Sequence, residues 1–397
     1  EPAQTPPTTQ VADEFREVLA RVEQGREGHF YVCLNQVIFC WLLRRRARQA
    51  IVQPMSVGVG MALLLDVPPS WHHEVASDFS LWANDLRDPN SIASGDTLWT
   101  LHQHVVLQVF WQVGIVLPWM ETPGPGYWSG VTRQGALAKR AQESRAEILG
   151  RTPSLLVLRS PYWKLPPGIL LRSMLDYSFA GGRLGPTDRP LVEVRWMESF
   201  LRGSLAAQSY QSTWLSWEDQ AGHSAALYMP SELYQIRFRD LYAMGVPILV
   251  PSERWTERLL LDMFRMWGML SKDNRQRPPP CKTGAPALET SDPPWCVDAK
   301  NRATADSWPF GEPFVDPDKD PVEKLQFYLS ITVLRRYPHL LHFESIAQLY
   351  SQLLVAHEDG DALGSLMRNH FLRIIVSNSL RFSRDAVDRV LASGAWS

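Results

Sequence analysis

The sequence predicts an α/β protein of two domains, each built on a mainly parallel sheet. Three observations carry this. Short apolar runs alternate with stretches of helical periodicity along most of the chain, the pattern of βαβ units. The runs are near-continuous rather than alternating, which suits strands covered on both faces. The chain has 397 residues, 45% of them hydrophobic, enough for two cores.

Each element follows from its local pattern. Residues 1–10 are Pro/Thr-rich and read as disordered, and 12–24 has helical spacing. HFYVCLN (29–35) reads as the first strand, and VIFCWLLRRRARQ as a helix whose basic end complements its dipole. AIVQPMSVG (50–58) is a second strand, 74–86 an amphipathic helix, 97–103 a strand, 105–113 a helix, GIVLPW (114–119) a strand and 135–149 a charged helix. A domain boundary is expected near 150–153, giving a first domain over 1–150. The alternation resumes with LLVLRS (155–160), a helix within 167–179, LVEVRW (191–196), a helix around 214–222, AALYM (225–229), a helix over 233–244 and VPILV (246–250). Gly245 stands where a helix ends in a left-handed residue. Residues 271–320 hold RPPPC, SDPPW and WPFGEP and read as an irregular insertion in a second domain over 151–345. A helix over 321–337, a strand HLLHF (339–343) and terminal helices over 346–397 complete the order.

Composition removes some function classes. The net charge is −2, which gives no global argument for nucleic acid or an anionic membrane. No apolar run reaches the roughly 18 residues of a membrane span. The chain begins at Glu1, which leaves room for a removed signal or anchor, so cytoplasm and secretory lumen both stay open. Four cysteines make no disulfide scaffold at this length. Cys33 and Cys40 read as buried thiols, while Cys281 and Cys296 flank the Pro-rich insertion, where an oxidising compartment would let them pair. No His/Cys cluster has zinc spacing. Sixteen Trp is a high count, and core filling is its commoner use than sugar stacking.

The most informative stretch is AALYMPSELYQIRFRDLYAMGVPILVP (225–251), a strand, loop, helix, Gly turn and strand. Ligands of open α/β sheets bind outside the carboxyl ends of strands, so residues 230–240 sit where a ligand is held. Within it Glu232, seven residues and Asp240 precede Gly245 at a fixed offset. Upstream, LLVLRSPYWK (155–164) is a strand followed by Arg159 and, five residues on, Lys164. Together these motifs resemble the retaining nucleotide-sugar glycosyltransferases of GT-B fold that carry a Glu-x7-Glu pair. The resemblance implies two Rossmann-like domains around a cleft, with Arg159 and Lys164 on the donor diphosphate, Asp240 on the ribose and Glu232 beside the donor sugar. Departures accompany it: Asp stands for the second Glu, the loop after Pro230 is short, and the Gly-rich donor loop is absent.

The residues admit plainer readings too. Arg159 and Lys164 also fit a solvated pair, and Asp240 also fits a solvent-facing acid or a partner of Arg237 or Arg239. His102 and His104 end a first-domain strand, and His102 is the candidate catalytic base toward an acceptor hydroxyl; His72, His73 and Asn35 are lesser candidates. Asp316, Asp318 and Asp320 alternate in a pattern that suits a cation site, but Asp320, Pro321 and Glu323 fit a helix start better, so no metal is expected. GGRLG (181–185) lacks the ending of a phosphate-binding loop, and no hydrolase elbow occurs. The leading expectation is a glycosyltransferase moving a sugar from a nucleotide-diphosphate donor to a carbohydrate or glycosylated acceptor, with no cofactor and no nucleic-acid partner. The alternative is a noncatalytic GT-B-like module binding carbohydrate or protein.

Overall fold

The structure, a computed structural model, describes residues 31–34, 55–59, 79, 81–82, 96–113, 116–124, 152–180, 191–197, 215, 217–230, 236–267, 315, 318 and 320–392. The protein is mixed α/β, and among the described residues every strand pair is parallel. The chain divides into two compact units, with the first division at Met120/Glu121 rather than near residue 150.

The first unit contains β1 (Tyr31–Leu34), β2 (Met55–Val59) and β3 (Thr97–Thr100) in the order β1-β2-β3. β3 is wholly buried and feeds α1 (Gln103–Val113). The strand stops three residues earlier than its apolar pattern suggests, because the His102 carbonyl already accepts the Val105 N–H at 3.1 Å, opening the helix. GIVLPW makes no full strand in its described part. Trp119 forms one parallel bridge to Thr100, and Pro118 has no N–H to extend the ladder. Trp99, Leu101 and Met120 form a small core with Phe382.

The second unit is a five-stranded sheet in the order β5-β4-β6-β7-β8. Its strands are β4 (Ser154–Val157), β5 (Glu193–Trp196), β6 (Ala225–Leu227), β7 (Ile248–Pro251) and β8 (Leu341–Phe343). The chain steps outward from β4 to β5, then returns past β4 to build β6, β7 and β8. Strand direction of travel therefore reverses between β4 and β6. β6 and β7 are fully buried, hence their unbroken apolar sequences, while β5, an edge strand, alternates between exposed and half-buried residues.

Helices connect these strands: α2 (Pro166–Ala180), α3 (Trp217–Ala221), α4 (Ile236–Met244), α5 (Glu253–Trp267), α6 (Val322–Ser330) and α7 (Val333–Arg336). After β8 come α8 (Ile346–His370), a π-helical stretch (Phe371–Val376) and α9 (Ser377–Ala392). Leu155, Val157, Leu227 and Leu249 share a core with Leu175 and Phe179 of α2, Leu259 and Met263 of α5, and Leu349 and Leu353 of α8. A second aromatic cluster joins Tyr228, Phe238, Tyr242 and Tyr337, with ring centroids 4.6–6.2 Å apart.

The second unit also departs from the sequence reading. α5 has no counterpart in it, although Trp255, Leu259, Leu260 and Met263 follow helical spacing. The helix over 321–337 is two helices, broken at Ile331 and Thr332. Asp320 is not the cap of α6. Pro321 occupies that position without a side-chain bond, and the Asp320 carboxylate instead accepts from Lys324 Nζ at 2.7 Å. Lys324 is almost fully buried, so pairing its ammonium outweighs capping. The expected helices at 12–24, 37–49 and 135–149, residues 1–10, the insertion up to residue 314 and the Cys281–Cys296 question lie outside the described residues.

Gly245 has φ +73°, as the sequence predicts. Its neighbour in space is Gly364 of α8: a Cβ on either would overlap the other's carbonyl. Arg368, one turn further along α8, donates to the Met244 carbonyl at 3.3 Å and satisfies the end of α4.

Candidate functional site

In an open parallel sheet the strand ends open a crevice where the order of strands reverses. Here that point is the carboxyl end of β4 beside β6. Leu158 is buried, Arg159 is exposed, and the chain then turns sharply. The turn is rigid for local reasons. Ser160 is buried and its Oγ accepts from Tyr162 N at 3.2 Å, Pro161 starts a 3-10 turn, and Trp163 Nε1 donates back to the Leu158 carbonyl at 3.0 Å. Trp163 also packs edge-on against Trp196 of β5, centroids 5.1 Å apart. Arg159 and Lys164 are the outward side chains of this anchored turn, both exposed. On the other side of the reversal, Tyr228, Met229 and Pro230 follow β6 and are buried. Glu232 lies outside the described residues.

Asp240 is placed differently. It is the fifth residue of α4, about 6 Å along the axis from the first, and only 2% exposed. Its carboxylate rests against Gly124, where any Cβ would overlap it. It therefore neither faces open solvent nor shares the exposed turn of Arg159 and Lys164.

Beside it the chain buries further charge. Arg239 is 1% exposed. Its Nε lies 3.5 Å from Glu121 Oε1, and its Nη1 donates to the Thr122 carbonyl at 3.1 Å. Arg336 Nη1 donates to the other Glu121 oxygen at 3.2 Å. Segment 121–124 thus receives Arg239 and Arg336 through a buried carboxylate and covers Asp240 with a glycine. Tyr337 completes the surroundings, its pKa raised by burial and then by the Glu121 charge. Burial lowers the pKa of Arg237, opposed by Asp240, and its guanidinium stacks on Trp217 at 4.4 Å. His370 lies near Tyr242 and Tyr337, its pKa lowered chiefly by burial, then by the His339 charge, with Glu121 opposing and Arg336 adding to the fall.

His102 belongs to the first unit. It is buried with His104, and their rings stack with centroids 5.5 Å apart and planes 13° from parallel. Asp318 is exposed and Asp320 is paired with Lys324, while Asp316 lies outside the described residues. Among the described residues no cluster of three His, Cys, Asp or Glu has the arrangement of a metal site, and no helix is long and apolar enough to cross a membrane.

The carboxyl edge holds a second feature that the sequence reading missed. A pocket of about 440 Å³ opens beyond β6, β7 and β8. Leu227, Met229, Pro251 and Phe343 form its floor at the strand ends, α2 and α5 its walls, and the start of α8 one end. Its lining is overwhelmingly apolar. The available signal was that β6, β7 and β8 each run out into an apolar residue (Met229, Pro251, Phe343) rather than into the small or polar residues usual where backbone meets phosphate.

Comparison with known protein families, curated proteins and solved structures finds no match for this chain.

Proposed function

We propose that the second unit holds a nucleoside diphosphate at the β4/β6 reversal, and that the chain is a GT-B-like glycosyltransferase using a nucleotide-sugar donor. The observation that supports this best is the position of Arg159, the first exposed residue after β4, at the reversal of strand order. An Arg fork and a Lys point charge on a turn anchored by Ser160 and Trp163 suit a diphosphate. On this reading Glu232, which follows β6 in the chain, attends the sugar, and His102 serves the acceptor hydroxyl.

The test is calorimetric titration of the intact protein with nucleoside diphosphates and the matching nucleosides. Losing a charge-assisted phosphate contact costs about 1.5–3 kcal/mol, so Arg159→Ala or Lys164→Ala is expected to weaken diphosphate binding about 10- to 150-fold and leave nucleoside binding almost unchanged. Equal loss for both ligands, or none, would overturn the assignment.

One observation favours the noncatalytic alternative. Asp240, the residue the resemblance assigns to the ribose, is buried against Gly124. Ribose hydroxyls reach it only if segment 121–124 moves. A folded protein that takes no nucleotide but binds a carbohydrate or protein partner would establish that second reading.

A further inference from the structure

From the apolar pocket beyond β6, β7 and β8, which borders the β4/β6 reversal at Tyr162 and Met229, we infer a binding site for a neutral hydrophobic small molecule with an aliphatic or aromatic body. The inference goes beyond the nucleotide reading and stands if that reading fails.

Three features carry it. The first is position: the floor is made by Leu227, Met229, Pro251 and Phe343, at the strand ends where parallel sheets bind ligands. The second is size and chemistry. A volume of about 440 Å³ lies within the range of small-molecule pockets, and its walls offer Leu171, Leu175 and Leu259. At the mouth Leu170 is 62% exposed, and Met174 and Trp255 are nearly half exposed, so apolar surface continues from the pocket to solvent. Contiguous exposed apolar surface around a concavity marks a binding region, because a solvent-exposed wall of this kind gains free energy on being covered.

The third is charge, which selects the ligand class. Among the described lining residues Glu344 is the charged one, and Tyr162 and Ser345 are the other polar ones. The start of α8 reaches the pocket with its cap already made by its own side chains. Ser345 Oγ accepts from Gln348 N at 3.2 Å, and Gln348 Oε1 accepts from Glu344 N at 2.7 Å. Arg258 and Asp262 of α5 act on Tyr162 with opposite sign, the acid more strongly, and Glu344 is the charge on the pocket lining itself. A ligand ending in carboxylate or phosphate meets repulsion there; an alcohol or a hydrocarbon does not.

The experiment titrates the intact protein with Nile red, a neutral apolar dye, then displaces the dye with decanol and with decanoate. Saturable dye fluorescence at one site is expected, with decanol displacing it at about fivefold lower concentration than decanoate, the upper end for an exposed like-charge pair. Glu344→Gln is expected to narrow that difference. Leu170→Glu with Met174→Glu places charges on two exposed positions, where the fold tolerates them, and is expected to weaken dye binding about tenfold or more with circular dichroism unchanged. Absence of saturable dye binding by the unaltered protein would overturn the site. So would full dye affinity in the folded double variant. Decanoate displacing better than decanol would overturn the ligand class, and the Glu344→Gln measurement reads that class even if the double variant unfolds.

Discussion

Two helices of the second unit invert the usual arrangement in opposite ways. α4 turns charge inward: Arg239 and Asp240 are almost fully buried. α2 turns apolar groups outward, with Leu170 at 62% and Tyr177 at 75% exposure. The difference shows what each arrangement requires. Buried charge survives only where fixed partners replace water, and α4 has them in Glu121, the Thr122 carbonyl and, through Glu121, Arg336. Exposed apolar surface requires no partner to fold. It is instead surface left available to a ligand, and on α2 it borders a pocket. The α4 flank is therefore expected to govern stability and the α2 flank to govern binding.

The largest effect expected from this contrast is at Glu121. Glu121→Ala leaves the Arg239 guanidinium buried beside Arg336 with no carboxylate between them. Breaking a buried pair this way costs about 3–5 kcal/mol, measurable as a lower urea midpoint. An unchanged midpoint would mean that water or a rearranged neighbour compensates, and the division between the two flanks would fail.

Next is the close approach of α4 and α8. Gly364→Ala drives a methyl group into the Gly245 carbonyl, and overpacking of this kind costs about 1–3 kcal/mol. Gly245→Ala adds roughly 1–2 kcal/mol for a non-glycine residue at positive φ. Thermal melts of both variants would show whether the helices can separate; if they part freely, the Gly364→Ala melting temperature does not move and only Gly245→Ala falls, by its backbone strain.

A pH dependence sharpens the account of the buried side. His370 and His223 both have folded-state pKa values lowered chiefly by burial. Each is kept neutral by the fold, so the unfolded chain takes up protons first as pH falls. Their stabilisation is complete above the unfolded value of about 6.5 and is lost as pH falls from there through the lowered folded-state value. His223→Gln or His370→Gln should flatten the stability profile below about pH 6.5. A slope identical to that of the unaltered chain would show that carboxylates alone control it.

The smallest expected effect lies on α2. Ile169→Ser or Leu170→Ser removes an exposed apolar group and should shift stability by no more than about 0.5 kcal/mol. A loss comparable to that of Glu121→Ala would mean this surface is covered in the folded chain, and the contrast between α2 and α4 would disappear.

Much of the fold was legible because it is written in local periodicity. The β6, α4 and β7 run could be read within a few residues of its actual limits, and the left-handed Gly245 was predicted from helix-ending chemistry alone. The alternation of strands and helices sufficed for parallel sheets, since two buried faces demand unbroken apolar strands. α5 escaped because its charged residues obscure an apolar stripe that the three-dimensional core makes plain. Asp320 escaped because a capping pattern says nothing of a lysine that burial forces into partnership.

For the candidate sites the same line divides what was readable. That Arg159 and Lys164 follow a strand and project from a turn is a property of ten consecutive residues, so the sequence by itself determined it. That Asp240 is covered was decided by residue 124, more than a hundred positions away, and the strand order that makes β4/β6 a crevice was decided by which strands pair. The apolar pocket likewise exists only once β6, β7, β8, α2, α5 and α8 converge. Periodicity records which face of an element is apolar. Whether that face meets another element, a charge or solvent depends on chain segments distant in sequence, and only tertiary packing brings them together.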